Sequence, residues 1–196
     1  MMITVISGTN RPGSRTKIVS ELFFELLKES TSEEVKFLDL VDINIPLLTN
    51  EMYDKTGQHP NITDIQDNIL LPSRLWVIIS PEYNGSYPGI LKLLIDALSV
   101  RRYKETFSGK KAALIGVATG RAGNFRGMEH LTGLLNYLNI LVMPNKLPIS
   151  SVDQYIDANI KLDESISYLL KKHITELLEF NKLEVVRDMN EQMIDA

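Results

Sequence analysis

The sequence predicts one α/β domain whose parallel sheet is covered by helices on both faces. Three observations carry that prediction. Short β-branched runs alternate strictly with longer segments of helical period. The strand runs show no apolar/polar alternation, so they bury both faces, as parallel strands between two helix layers do. The length of 196 residues matches about one domain.

The elements follow in order. A first strand spans 3–7, and the stripe Ile18, Val19, Leu22, Phe23, Leu26 and Leu27 then forms one face of a helix. A second strand lies at 35–40. Residues 41–61, with Pro46, Gly57 and Pro60, form a surface excursion that leads into a short helix at about 62–71. The third strand, 75–80, places Trp76 in the core. The helix after it carries the stripe Ile90, Leu91, Leu94, Ala97 and Leu98, and with Leu93 and Ile95 its apolar residues cover more than one face. A surface helix needs only one stripe, so the surplus points to contact with a second subunit. Strand 112–118, a helix bearing Met128, Leu131, Leu135 and Leu138, and strand 140–143 come next. The last helix carries Ile166, Leu169, Leu170, Ile174, Leu177 and Leu178. The organisation expected is a domain at 1–182 and a polar C-terminal tail at 183–196.

Composition narrows the function. With 21 basic and 25 acidic residues the net charge is −4, which argues against a nucleic-acid binder that relies on a clustered basic surface. The absence of cysteine removes disulfides, thiolate catalysis, zinc–thiolate sites and iron–sulfur clusters. The three histidines, His59, His130 and His173, are isolated, so no histidine-rich metal site is expected. No basic segment precedes an apolar run at the start, and no apolar stretch approaches the roughly 20 residues of a membrane span. A soluble cytoplasmic protein, bound to neither membrane nor nucleic acid, is the expectation.

In a doubly wound sheet, ligands bind beyond the carboxyl ends of the strands, where the strand order reverses. Three loops of unusual composition occupy that edge: 8–16, 81–88 and 119–126. The first, G-T-N-R-P-G-S-R-T, opens a helix with two glycines, the hydroxyls of Thr9, Ser14 and Thr16, and two arginines, Arg11 and Arg15. Free amides at a helix N-terminus attract an anion, and an arginine adds a charged contact. Gly8 and Gly13 have the spacing of a Walker A loop, but Ser14 stands where the phosphate-gripping lysine is required. The G-x-G-x-x-G fingerprint is also missing. A Pro-Gly turn and a cap at Ser14 would explain residues 12–14, yet not two arginines among several hydroxyls.

The second loop, P-E-Y-N-G-S-Y-P-G, combines two prolines and two glycines with two tyrosines at the same edge. So rigid a loop suits a flat aromatic ligand read by main-chain amides and carbonyls.

The segments T-N-R-P-G-S at 9–14 and P-E-Y-N-G-S-Y-P-G-I-L-K at 81–92 resemble the NADPH-dependent FMN reductase family, and A-T-G-R-A-G-N-F-R-G at 118–127 agrees in position and glycine content. The resemblance spans roughly residues 2 to 145. It implies a flavodoxin-like, doubly wound, five-stranded parallel sheet of order 2-1-3-4-5. It also implies non-covalent FMN, NADPH or NADH as electron donor, and a homodimer or homotetramer. The small-molecule electron acceptor would be a flavin, quinone, azo compound or metal ion. By position, Thr9, Arg11, Ser14 and Thr16, with the neighbouring Arg15, would hold the FMN phosphate. Pro81, Glu82, Tyr83, Asn84 and Gly85 would line the isoalloxazine, and Thr119, Gly120 and Arg121 would cover its other rim. Two positions depart from the family pattern: Thr9 replaces the commoner serine but keeps the hydroxyl, and Leu93 stands where many relatives have asparagine after the lysine.

Hydride transfer from a nicotinamide to flavin N5 is cofactor chemistry, so no catalytic side chain is assigned and the protein positions rings and tunes charge. Amides of 119–123 would face the charge that develops near N1 and O2. Glu82 is expected to order its own loop, His130 to lie on a helix surface, and Arg101 and Arg102 to end a solvated helix rather than meet a nicotinamide phosphate. The alternative class is a flavodoxin-like electron carrier without turnover of its own. Such carriers show a T-x-T-G-x-T loop and a strongly acidic face, and this chain has neither. A flavin-free interaction domain would not need two intact loops.

Overall fold

The computed structural model describes residues 2–54, 57–156 and 162–184. Its elements are β1 (Met2–Ser7), α1 (Arg15–Ser30), β2 (Glu34–Asp39), α2 (Pro60–Ile65), β3 (Ser73–Pro81) and α3 (Gly89–Ser99). Then follow α4 (Tyr103–Phe107), β4 (Lys111–Val117), α5 (Phe125–Tyr137), β5 (Leu141–Val142), β6 (Leu147–Ile149) and α6 (Glu164–Lys182). The sheet runs β2-β1-β3-β4-β5, every pairing parallel, and β6 also pairs with β4. This is the doubly wound flavodoxin-like order, with its switch between β1 and β3.

The fifth position differs from expectation. Instead of one strand at 140–143, β5 pairs with Lys111 and Ala112 while β6 pairs with Ile115 to Val117. Proline explains the break. Met143 still donates its amide to Ala112 at 2.7 Å, but Pro144 has no N–H with which to continue the ladder.

The two faces of the sheet build two cores. Trp76, Ile78, Ala112 and Leu114 pack with Leu91, Leu94 and Leu98 of α3 and with Met128, Leu131 and Leu135 of α5. Leu75, Val77, Ile79, Ala113 and Ile115 face the other way, against Val19, Phe23 and Leu27 of α1 and Leu170, Ile174 and Leu177 of α6. Alternate residues of each strand therefore serve different cores, and the sequence shows no polar phase. On α3 the apolar surplus is partly absorbed: Ile95 is buried in the first core, while Ile90 and Leu93 pack against it and keep some exposure.

The short helix expected at 62–71 begins at Pro60 and runs through Ile65 into a π-turn, Gln66 to Leu70. There the buried Gln66 amide donates to the carbonyls of Leu98 and Arg101 and to the Thr106 hydroxyl. The excursion at 41–61 holds a short 3-10 turn at Asn50–Tyr53, and α4 was not anticipated. Most of the tail expected at 183–196 lies outside the described residues.

At the N-terminal edge of the sheet, two consecutive lysines point to opposite faces. Lys110 donates to the carbonyls of Leu71 and Ser73, each at 2.6 Å, and of Leu70 at 3.3 Å. Lys111, fully buried, donates to Phe180 at 3.0 Å, to Asn181 at 2.7 Å and to Leu183, closing the C-terminus of α6. Burial lowers the pKa of its ammonium.

Candidate active site

Each of the three loops at the C-terminal edge is held by a local device. In the first, Gly8 donates to the Ile79 carbonyl at 2.8 Å, and a Cβ there would sit 2.9 Å from that oxygen and from Leu91 Cδ1. Only glycine lets the loop approach β3 so closely. Thr9 is fully buried; its hydroxyl lies 2.9 Å from the Tyr83 hydroxyl and accepts the Arg11 amide at 3.2 Å. It thus ties the first loop to the second. Ser14 caps α1 by accepting the Lys17 amide at 3.1 Å. No acidic residue stands in the first turn of that helix, so its dipole remains available to an external anion. Lys17 is drawn aside to Asp39 at the end of β2, 2.7 Å away, and this raises its pKa.

The second loop is a tight turn. Tyr83 and Ser86 exchange both backbone hydrogen bonds, at 2.9 and 3.0 Å, around Asn84 and Gly85 with φ of 52° and 75°. Two positive φ values in a two-residue turn make it type I′, which explains the Asn-Gly pair. The Ser86 hydroxyl lies 2.9 Å from Nδ1 of His130, which is exposed on α5.

The third loop is anchored by Asn124. Buried at φ 60°, it donates its amide to the carbonyls of Ser80 at 3.0 Å and Pro81 at 2.8 Å. Behind it, a Cβ at Gly116 would fall 2.0 Å from the Gly123 carbonyl oxygen. The loop therefore rests directly on the backbone of β4. The segment after β6 is fastened to its other side. Ser151 donates to Gly120 at 2.9 Å, Val152 to Ala118 at 3.0 Å, and the Ser150 hydroxyl to Arg121 at 2.7 Å.

Two cavities open between these loops. One, of about 290 Å³, is lined by Arg11, Gly13, Ser14, Arg15 and Thr16 together with Pro81, Glu82, Tyr83, Val117, Ala118, Thr119, Val152 and Asp153. The other, of about 350 Å³, is lined by Glu82, Asn84, Gly85 and residues 118–122. They share Glu82, Ala118 and Thr119, and so form one two-part crevice. Every expected site residue lines it except Thr9, which stands behind the wall. The amides of Gly13 and Ser14 and of residues 119–122 have no acceptor among the described residues, nor does the exposed Arg11 side chain have a partner. Arg15 donates through Nε to Asp153 at 2.7 Å.

Arg101 and Arg102 lie elsewhere, at the C-terminal end of α3, on the edge opposite the crevice. Arg101 makes a bidentate contact with Asp67, and Arg102 reaches Asp67 and Glu105. The Arg101 guanidinium beside Asp67 lowers the pKa of that carboxyl. Asn124, Gly116 and Asp153 were missed by sequence reasoning. A glycine inside a β-branched strand was the available signal at position 116; Asp153 belongs to no local motif.

Fold and crevice together define a flavodoxin-like α/β protein with a two-part crevice at the strand switch. The family model for NADPH-dependent FMN reductases matches residues 1–154. An NAD(P)H-dependent FMN reductase of Pseudomonas aeruginosa is 31% identical over 175 residues, which cover 88% of this chain and 90% of that one. A 2-hydroxy-1,4-benzoquinone reductase of a Burkholderia species is 29% identical over 81% of this chain and 84% of its own. Among solved structures, the flavoenzyme NAD(P)H:(acceptor) oxidoreductase of Paracoccus denitrificans superposes with a TM-score of 0.77 at 21% identity, covering 92% of this chain and 96% of that one. The chain belongs to the NADPH-dependent FMN reductase family. It is an oxidoreductase of the flavin-dependent class, with FMN as cofactor and a reduced nicotinamide as donor.

Proposed function

We propose that the protein oxidises a reduced nicotinamide with FMN held non-covalently in the two-part crevice and passes the electrons to a small diffusible acceptor, a flavin or quinone first among them. The observation that carries this reading is the joining of two unlike cavities. One meets a helix N-terminus with two arginines and unpaired amides, as a phosphate requires. The other is an open space between a type I′ turn and a loop of unpaired amides, which suits a planar ring. The donor set fits the group.

In this reading Arg11 and the amides of Gly13 and Ser14 hold the phosphate, and Thr16 adds a hydroxyl. Asn84 and Gly85 form one wall of the ring site, and Thr119, Gly120 and Arg121 form the other. FMN supplies the redox chemistry when bound: it takes a hydride from the nicotinamide and returns electrons to the acceptor. The chain's own task is to orient the ring and to offer the amides of 119–122 to negative charge that develops on its pyrimidine side. Thr9 acts indirectly, by fixing Tyr83 against the first loop.

The flavin domain in this reading is 1–182. The partly exposed Ile90 and Leu93 on α3 support a homodimer or homotetramer; light scattering at micromolar concentration would report twice or four times the 22.2 kDa chain mass. Reduced nicotinamides are cytosolic reductants, so the proposed compartment is the cytoplasm. Among the described residues no helix is long and apolar enough to cross a membrane.

The test is the absorption spectrum of the purified protein after reconstitution with FMN, then anaerobic addition of NADH or NADPH. Flavin bands that bleach are expected. Absent bands would refute the reading, and bands that survive both nicotinamides would make the protein a carrier.

A further inference from the structure

Four charged side chains line the cavity assigned above to phosphate. Arg11 and Arg15 are positive, Glu82 and Asp153 negative, so their charges cancel. Asp153 comes from outside the three recognised loops, on the turn Val152–Tyr155 beyond β6. That turn is fastened by the Val152 amide to Ala118 and by the Ser151 amide to Gly120, so the carboxylate is carried on a fixed frame. It accepts from Arg15 Nε at 2.7 Å, with the two side chains 46% and 53% exposed. The terminal amino groups of Arg15 have no partner among the described residues.

We propose that Asp153 is a specificity-determining residue that weakens the hold of this cavity on the cofactor's phosphate. The inference rests on the FMN reading above. An entering phosphate meets a carboxylate in its own cavity, and the same carboxylate already engages one of the two arginines. Two effects of Asp153 oppose each other: it orients Arg15, and it repels a dianion. Orientation of a half-exposed arginine by a single hydrogen bond is a small gain. Repulsion between a carboxylate and a dianion that share one cavity, screened by water and physiological salt, weakens binding about fivefold. Repulsion wins. The cofactor is thereby kept exchangeable, and the preference for FMN over riboflavin is narrower than the two arginines alone would set.

The test uses Asp153→Asn, which keeps an oxygen to accept from Arg15 Nε and removes only the charge. Apoprotein of wild type and variant is titrated with FMN and with riboflavin by flavin fluorescence, with circular dichroism melting as a control for folding. Asp153→Asn is expected to tighten FMN binding about three- to tenfold and to slow FMN release, while riboflavin affinity stays within about twofold. The gain should shrink as salt is raised. Arg15→Ala should cost more FMN affinity in the Asp153→Asn background than in wild type. Unchanged or weaker FMN binding by Asp153→Asn would overturn the proposal, as would an equal gain for riboflavin. A wild-type chain that prefers FMN separates that failure from failure of the FMN reading itself; a wild type that binds neither flavin overturns both.

Discussion

At the N-terminal edge of the sheet every cation described above has its partner within the chain; at the C-terminal edge Arg15 and Lys17 are paired with Asp153 and Asp39, but Arg11 and several loop amides stand open among the described residues. Lys110 and Lys111 each satisfy three carbonyls, and Arg101 and Arg102 share Asp67 and Glu105. Arg11 and the amides of Gly13, Ser14 and 119–122 have no acceptor among the described residues. The residue types are alike at both edges. What distinguishes the two edges is whether the fold itself supplies the counter-groups. An arginine pair in a sequence therefore says little until its partners are known.

The largest test of that contrast is Gly116→Val. A side chain there must displace the Gly123 carbonyl, only 2.0 Å from the new Cβ, or bend β4. A stability loss above roughly 3 kcal/mol in urea unfolding is expected, in the range of severe overpacking. Flavin binding should fall with it, because the loop of unpaired amides loses its seat. A variant of wild-type stability would show that the loop does not rest on β4.

Lys111→Met strikes the opposite edge. It leaves the carbonyls of Phe180, Asn181 and Leu183 without their buried donor. The expected cost is about 2–4 kcal/mol by denaturant unfolding, with the flavin affinity of the folded fraction unchanged. An altered affinity would mean the two edges are coupled.

Arg101→Ala is milder. Both partners of the Arg101–Asp67 pair are about 30% exposed, so screening limits the loss to about 1 kcal/mol. Flavin affinity should not move.

The smallest effect is a pH dependence. His173 on α6 is 3% exposed, and burial pulls its pKa below the ordinary value of 6.5 despite the nearby Glu176. Above pH 6.5 the imidazole is neutral in both states and contributes nothing. Below it the unfolded chain takes up a proton that the folded chain resists, so stability falls until the pH drops past the folded pKa. Melting temperature measured from pH 8 to pH 5 should show that decline, and His173→Leu should flatten it.

The sequence made the fold legible because the strands carry no polar phase and the helices carry clean stripes. Trp76 and the four stripes are read directly from periodicity, and the resemblance supplied the strand order. The broken fifth strand escaped because Pro144 interrupts an apolar run too short to show it. The crevice was legible because its loops are built from local chemistry: Asn84-Gly85 needs positive φ, and Ser14 needs an amide to cap. Asn124 and Asp153 were not legible, since each acts on a residue distant in sequence, at Ser80 and Arg15. Thr9 was expected among the hydroxyls that hold the phosphate; its burial behind the crevice wall and its bond to Tyr83 belong to tertiary structure.

The most direct test of the central claim pairs one arginine from each edge. Apoprotein carrying Arg11→Ala or Arg101→Ala is titrated by fluorescence with FMN and with riboflavin, which has the same ring without the phosphate. Arg11→Ala should weaken FMN binding roughly ten- to a hundredfold, the 1.5–3 kcal/mol of a hydrogen bond to a charged group. It should leave the weaker riboflavin binding and the melting temperature nearly unchanged. Arg101→Ala should do the reverse, lowering the melting temperature and sparing both flavins. Equal losses of FMN and riboflavin in Arg11→Ala, or an FMN loss in Arg101→Ala as large as that in Arg11→Ala, would contradict the assignment of the phosphate to the C-terminal edge.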